Sequence, residues 1–268
     1  YRLKSQMLME HLAGICPDIE QVSIDECYMD YTPIAANYVS PEEAAAFIRH
    51  SVFEKFKFTV NVGISDRKVL AKMASDFEKP DKTHTLYQRE IAQKMWPLPV
   101  SALFTCGHSS AETLHKLGIL TIGDLAKTDP AILEAHLKSH GRCLWQYANG
   151  IDDSPVRAER EEAKGYSAET TVEEDLVTYE QALALLLAQC DVVAARMRRD
   201  GKKCSCVAVT YRTLDFKTRS HQRAFEDPTD VTDEIFAQVK KLLYECWKCE
   251  PLRLIGMALT DLTTDDFR

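Results

Sequence analysis

The chain has 268 residues, room for more than one domain, and 45% apolar with 28% charged side chains, the balance of an ordinary globular protein. Ten Gly and ten Pro exclude a collagen-like or low-complexity chain, and no apolar run approaches the roughly 20 residues that cross a bilayer, so no membrane is expected as a partner. Nine cysteines are too few for a disulfide scaffold and odd in number, which favours reduced, intracellular thiols; the net charge of −8 excludes a uniformly basic nucleic-acid binder.

Leu3, Met7, Leu8, His11 and Leu12 recur at helical spacing over residues 3–15. Within 19–31, Val22 and Ile24 alternate with Gln21 and Ser23, which predicts a strand, a break at Asp25-Glu26, and a second strand. Ser40, Pro41 and Glu43 form a capping box that opens a helix to about Lys55, with Ala44, Phe47, Ile48 and Val52 on one face. Phe58, Val60, Val62 and Ile64 predict a strand over 58–64. Ser65 is expected to cap the next helix, which carries Val69, Leu70, Met73 and Ala74. The alternation implies a βαβ-like layer in which the first element lacks a partner strand.

From Trp96 the pattern turns to short helices. A hairpin spans 98–108, helices cover 111–117, 122–126, 130–137 and 144–150, and Gly118 is a stop. The polar stretch 152–163 has no apolar face and reads as a linker. Beyond Lys164 the order is β-α-β-β-α-β: a strand at 165–171, a helix at 178–200, strands at 205–211 and 216–225, a helix at 231–249 and a strand at 253–262. The expected fold is α+β and multi-domain, divided as 1–95, 96–152, a linker at 153–163, and 164–268.

Asp25-Glu26 is the sharpest chemical feature. Neighbours on a strand point to opposite faces, but at a turn between strands two carboxylates can converge. Together they are costly unless a divalent cation neutralises them, and Mg²⁺ accepts one or two carboxylates while keeping water and phosphate oxygens. An exposed acidic hairpin tip is the plainer alternative.

The context sharpens the choice. S-I-D-E-C-Y-M-D, followed by V-N-V-G-I-S-D-R-K-V-L-A-K-M-A-S-D-F-E-K-P, closely resembles the palm of Y-family DNA polymerases of the DNA polymerase IV type. H-K-L-G-I-L-T-I-G-D-L-A and G-R-C-L-W-Q-Y-A-N-G-I-D resemble that family's thumb, with its helix-hairpin-helix-like element. The domain bearing D-F-K-T-R-S-H-Q is similar to its little finger. The resemblance implies translesion, template-directed nucleotidyl transfer with two Mg²⁺ ions. It makes Asp25 a ligand shared between the ions, Glu26 a ligand of the metal that activates the primer 3′-hydroxyl, and Lys79 a contact of the incoming triphosphate. Taken alone, Lys79 is equally a solvated cation at a helix end. The implied partners are primer-template DNA, a deoxynucleoside triphosphate and a sliding clamp, in the cytoplasm.

The family also has a metal-binding Asp and a following aromatic on its first strand, and fingers with a triphosphate-binding Tyr and Arg. None has a counterpart here, so a fragment of the polymerase, a partial palm with thumb and little finger, is expected and should be inactive alone. A catalytically inactive DNA-binding accessory protein on the same fold is the alternative.

Cys106-Gly107-His108 stands where the family's hairpin has G-x-G, which puts phosphate binding there in question. Cys204, Cys206, Cys246 and Cys249 could be spaced as a zinc site, but neither pair has the Gly or Pro of a knuckle turn, and no zinc is expected. Tyr166, Trp145 and Trp247 read as packing residues. Finally, nine of the 33 Lys and Arg lie between Arg196 and Arg223, opposed only by Asp200 and Asp215. Arg212, Lys217, Arg219, Ser220, His221 and Arg223 are therefore expected to line DNA without reading its sequence, against the plainer reading of a charge-protected edge strand.

Overall fold

The computed structural model of the chain describes residues 1–159 and 162–264. Residues 160 and 161 of the expected linker and 265–268 of the expected last domain lie outside the described residues. The chain divides into two compact units, Tyr1–Arg160 and Glu161–Arg268.

In the first unit, α1 (Arg2–Ala13) buries Leu8 and Leu12 against Val52 and Phe56 of α2 (Pro41–Phe56). Between them, β1 (Ile19–Gln21) and β2 (Cys27–Met29) pair antiparallel, Ile19 opposite Met29 and Gln21 opposite Cys27, so the break expected at Asp25-Glu26 is a hairpin turn. Ser40 caps α2 by accepting the Glu43 N–H at 3.2 Å, but the Glu43 carboxylate takes the Val39 N–H rather than that of Ser40. Phe47, expected on the buried face of α2, is 48% exposed and packs its ring on Tyr38, while Ala45 is buried instead.

The strand expected over 58–64 shortens to β3 (Val62–Ile64), which pairs in parallel with β4 (Thr83–Thr85) across α3 (Lys68–Ser75). Its earlier residues lose ladder partners because the Asn61 side chain takes that role, accepting from Lys82 N–H and donating to Ser75 and Glu78 carbonyls. Ser65 does not cap α3. Its hydroxyl donates to the Leu86 carbonyl at 2.6 Å, and Arg67 holds the cap position without a side-chain bond. Asp152, distant in sequence, accepts the first-turn Val69 N–H at 2.9 Å instead. The β1–β2 and β3–β4 pairs form separate two-stranded sheets.

Gly63 is where β3 crosses α3. A Cβ there would lie 1.9 Å from the Ala71 carbonyl oxygen and 2.6 Å from the Ser75 nitrogen, both backbone atoms that cannot swing aside. Gly63→Ala is therefore expected to destabilise the chain by about 3 kcal/mol, read as a lowered urea midpoint; an unchanged midpoint would mean that β3 does not press on α3.

The helices α4 (Ile91–Lys94), α5 (His108–Lys116), α6 (Ile122–Lys127), α7 (Pro130–Leu137) and α8 (Ser139–Ala148) follow. Thr121 and Asp124 form a reciprocal capping box on α6, and Asp129 caps α7 ahead of Pro130. Leu114, Ile122, Leu125, Leu133 and Leu144 pack in one core with Val69, Leu70 and Met73 of α3, and Trp145 packs against it.

The stretch that reads as a linker is anchored at its start. Glu20 accepts from Lys68 Nζ at 2.7 and 2.8 Å and from the Arg157 N–H at 2.8 Å, and Lys68 also donates to the Pro155 carbonyl. Burial works to raise the Glu20 pKa, but the bonds from Lys68 and Arg157 outweigh it and hold the carboxyl below its ordinary value. A depressed folded-state pKa stabilises above the unfolded pKa and ceases to do so as pH falls through the folded one. Glu20→Gln should therefore lower the urea midpoint at pH 7, with the gap from the native chain closing as pH falls below about 4; a gap independent of pH would refute the charged latch.

The second unit is a four-stranded antiparallel sheet, β5 (Tyr166–Leu176), β8 (Leu252–Thr263), β6 (Lys203–Thr213) and β7 (Thr218–Thr229) in spatial order. One face is covered by α9 (Tyr179–Arg199) and α10 (Thr232–Cys246). Their core holds Leu186, Val193, Val207, Val209, Tyr211 and Trp247, with Tyr166 at its margin. The β-α-β-β-α-β order agrees with the sequence, and all four strands run longer than expected. No helix among the described residues is long and apolar enough to cross a membrane.

Candidate active site and nucleic-acid interface

The β1–β2 turn puts Asp25 and Glu26 on the wall of a cavity of about 1030 Å³ that also receives Lys72 and Lys79. Ser23 shapes the turn: its hydroxyl accepts the Glu26 N–H at 3.1 Å and donates to Asp25 Oδ1 at 2.8 Å. The Glu26 carbonyl accepts N–H groups from Val22 and Ser23, which closes the loop. Both acidic residues are exposed on the cavity wall, and the second Asp25 oxygen, Oδ2, accepts from the Tyr1 hydroxyl at 3.3 Å.

Lys79 joins them through two residues that sequence reasoning passed over. Glu26 Oε1 lies 2.7 Å from Lys72 Nζ, Lys72 lies 3.0 Å from Asp76 Oδ2, and Asp76 Oδ1 lies 2.7 Å from Lys79 Nζ. Burial acts to lower the Lys72 pKa, but Glu26 and Asp76 more than reverse it and raise it overall. Burial acts to raise Asp76, yet the bonds from Lys79 and Lys72 hold its carboxyl below the ordinary range. The only sequence signal was a Lys-x₃-Asp-x₂-Lys spacing, common on solvated helix ends.

Among the described residues no group of three or more His, Cys, Asp or Glu converges on one point. Asp25 and Glu26 are hard oxygen donors at an accessible turn. They fit as part of the ligand set of a hard divalent cation that takes its remaining oxygens from water and phosphate.

In the thumb-like helices, Gly107 precedes α5 and His108 opens it with its side chain 89% exposed. In the second unit, Cys204 Sγ donates to the Thr229 carbonyl at 3.3 Å, and burial pushes its thiol up to about 12. The Cys246 sulfur is bonded to the Leu243 carbonyl of its own helix.

The basic district is divided by the sheet. Partners across an antiparallel pair share a face, so Arg219, His221 and Arg223 stand on the side of their partners Tyr211, Val209 and Val207, the buried side under the helices. At that margin Arg219 pairs with Glu250 at 2.9 Å and Arg223 with Glu245 at 2.7 Å. Arg212 and Ser220 lie on the open face, where Arg212 Nε donates to Thr218 at 2.8 Å and the Thr210 hydroxyl donates to Ser220 at 3.0 Å. Lys217 sits in the turn with Asp215 at 2.6 Å. Other cations of the stretch have structural partners: Arg196 holds the Ser167 carbonyl, Arg198 the Asp230 carbonyl and Thr232, and Lys202 pairs with Glu162. The structure thus unites Asp25, Glu26 and Lys79, and it spreads the six DNA-facing candidates over an edge, an open face and a turn.

Two family models match the chain: the impB/mucB/samB family over residues 1–76 and the impB/mucB/samB family C-terminal domain over 163–268. The DNA polymerase IV of Clostridium acetobutylicum is 44% identical over 262 residues, covering 98% of this chain and 66% of that protein. The DNA polymerase IV of Methanoculleus marisnigri is 36% identical over 262 residues, covering 98% of this chain and 72% of that protein. The fold matches that of a Y-family DNA polymerase chimera with a TM-score of 0.84 at 22% identity, over 99% of this chain and 77% of that one. The chain belongs to the impB/mucB/samB family of Y-family polymerases, in its DNA polymerase IV group. It spans 66%, 63% and 66% of the length of the first three curated relatives it matches.

Proposed function

We propose that this chain is the greater part of a translesion DNA polymerase, with a partial palm at 1–95, a thumb at 96–152, a linker at 153–163 and a little finger at 164–268. The observation that carries the reading is one cavity lined by Asp25, Glu26 and Lys79, the residue types that a metal-dependent nucleotidyl transfer requires. Asp25 and Glu26 would hold Mg²⁺, which when bound supplies charge neutralisation to the attacking 3′-hydroxyl and the leaving pyrophosphate.

The chain's own residues do the rest. Ser23 orients the Asp25 carboxylate through its hydroxyl and fixes the turn by accepting the Glu26 N–H. Lys79 is 59% exposed, so its ammonium can exchange Asp76 for a triphosphate oxygen at little cost. Primer-template DNA is the second partner, held along its phosphates by Arg212, Lys217, Arg219 and Arg223, with Ser220 and His221 beside them. The stretch carries no residue pattern for base-specific readout, so this binding is sequence-tolerant. The test is primer extension by the complete polymerase with substitutions at Asp25 and Glu26. Full activity in either variant would overturn the reading.

A further inference from the structure

The geometry points to Lys72 as a positioning residue that occupies Glu26 until a divalent cation arrives and thereby couples the metal side of the cavity to Lys79. This rests on the polymerase reading of the same cavity. Four side chains of alternating charge run unbroken from the turn to Lys79: Glu26, Lys72, Asp76 and Lys79, with separations of 2.7, 3.0 and 2.7 Å. Lys72 is the least exposed of them, its side chain 17% accessible against 45% for Glu26, 41% for Asp76 and 59% for Lys79.

Its backbone is fixed as well. Gly63 presses β3 onto Ala71 and Ser75, the residues that bracket Lys72 on α3, so the lysine projects from a helix that cannot retreat. A mobile surface lysine would sample many partners. This one is aimed between two carboxylates, one on the turn and one on its own helix.

The arrangement has a directional consequence. Two adjacent carboxylates repel in the absence of a cation, and Lys72 supplies one positive charge at Glu26. A divalent cation on Glu26 carries more charge and displaces the ammonium. Lys72 then has Asp76 as its remaining partner, and Asp76 satisfied by Lys72 holds Lys79 less strongly. Lys79 is released toward the cavity when the metal side fills. Lys72 competes with the cation and, through Asp76, makes cation binding and Lys79 release a single event.

The experiment uses the full 268-residue chain and Mn²⁺ as probe, with free Mn²⁺ read by electron paramagnetic resonance. Lys72→Met should tighten Mn²⁺ binding about tenfold, because a like charge next to a ligand is removed. Lys72→Arg, which keeps the charge, should stay within about twofold of the native chain. Lys79→Met, two links away, should change binding less than about threefold. Equal affinity in native and Lys72→Met chains, or weaker binding in Lys72→Met, overturns the inference and leaves the metal reading standing. Mn²⁺ bound by neither chain overturns the inference, while the polymerase reading stands or falls on primer extension by the complete polymerase.

A second measurement needs no variant at Lys72. In the native chain labelled at lysine Cε and Nζ, Mg²⁺ should shift the Lys72 and Lys79 signals together, and Glu26→Gln should abolish both shifts. A Lys79 signal that ignores Mg²⁺ while Lys72 responds breaks the coupling.

Discussion

Primer extension by the 268-residue chain alone is expected to be undetectable, and in the complete polymerase Asp25→Asn or Glu26→Gln should each cost at least about a thousandfold in kcat/KM, some 4 kcal/mol of transition-state stabilisation. The two expectations share one cause. Glu20, Asp152 and Cys27 line the same cavity as Asp25 and Glu26, but among the described residues no three His, Cys, Asp or Glu side chains come together to hold a metal ion. Two carboxylates cannot clamp a pair of divalent cations firmly enough to steady the attacking and leaving oxygens together. Either substitution halves the negative charge at the turn while keeping side-chain size, so the hairpin should fold as before. Affinity for primer-template DNA should change less than about twofold, since the turn contributes no phosphate contact. The measurement is single-nucleotide insertion under steady-state conditions beside a DNA-binding titration. Robust extension by the chain alone would show that two carboxylates suffice; a parallel loss of DNA affinity would show that the turn is structural.

The elements that local chemistry specifies were legible. Ser40-Pro41 announces the start of α2, and the acidic pair announces a hairpin turn, although β1 ends at Gln21 and Val22 and Ile24, expected in the strand, lie exposed in the turn itself. The terminal β-α-β-β-α-β unit reads clearly because each element is long and its apolar period is unambiguous. What escaped depends on distant partners. β4 is three residues, Thr-His-Thr, with no apolar alternation, and exists because β3 lies beside it. Ser65 looked like a cap, but tertiary structure offered its hydroxyl the Leu86 carbonyl instead. Lys72 and Asp76 carry an ordinary helix-surface pattern, and only the approach of the β1–β2 turn gives it meaning. Glu245 and Glu250 lie outside the window in which basic residues outnumber acidic ones, so a count along the chain overstated the free positive charge.

That correction shapes the expected DNA binding. Four candidate cations each have a hydrogen-bonding or ion-pair partner, but the pairs are solvent-exposed: Arg219 and Glu250 are 50% and 39% accessible, and Arg223 and Glu245 are 37% and 56%. Exposed pairs are worth roughly 0–1 kcal/mol and give way to a phosphate that releases condensed counterions. The native chain should therefore bind duplex DNA weakly, with Kd on the order of 10⁻⁵ M at physiological salt, and without sequence preference. Replacing Arg212, Lys217, Arg219 and Arg223 together by Ala should flatten the slope of log affinity against log salt by about 2 to 3, each phosphate contact contributing about 0.9. Four full contacts would give more, but Arg212 and Ser220 face away from Arg219 and Arg223, and one straight duplex cannot use both faces equally. Replacing Lys55, Lys57, Arg89 and Lys94 of the first unit should leave the slope nearly unchanged. Glu245→Gln with Glu250→Gln tests the masking directly. It should raise affinity by up to about tenfold while keeping the slope, because the same phosphates are contacted by arginines no longer shared. Fluorescence anisotropy at several salt concentrations distinguishes the cases. A quadruple variant with the native slope would make β7 a charge-protected sheet edge with no part in DNA binding.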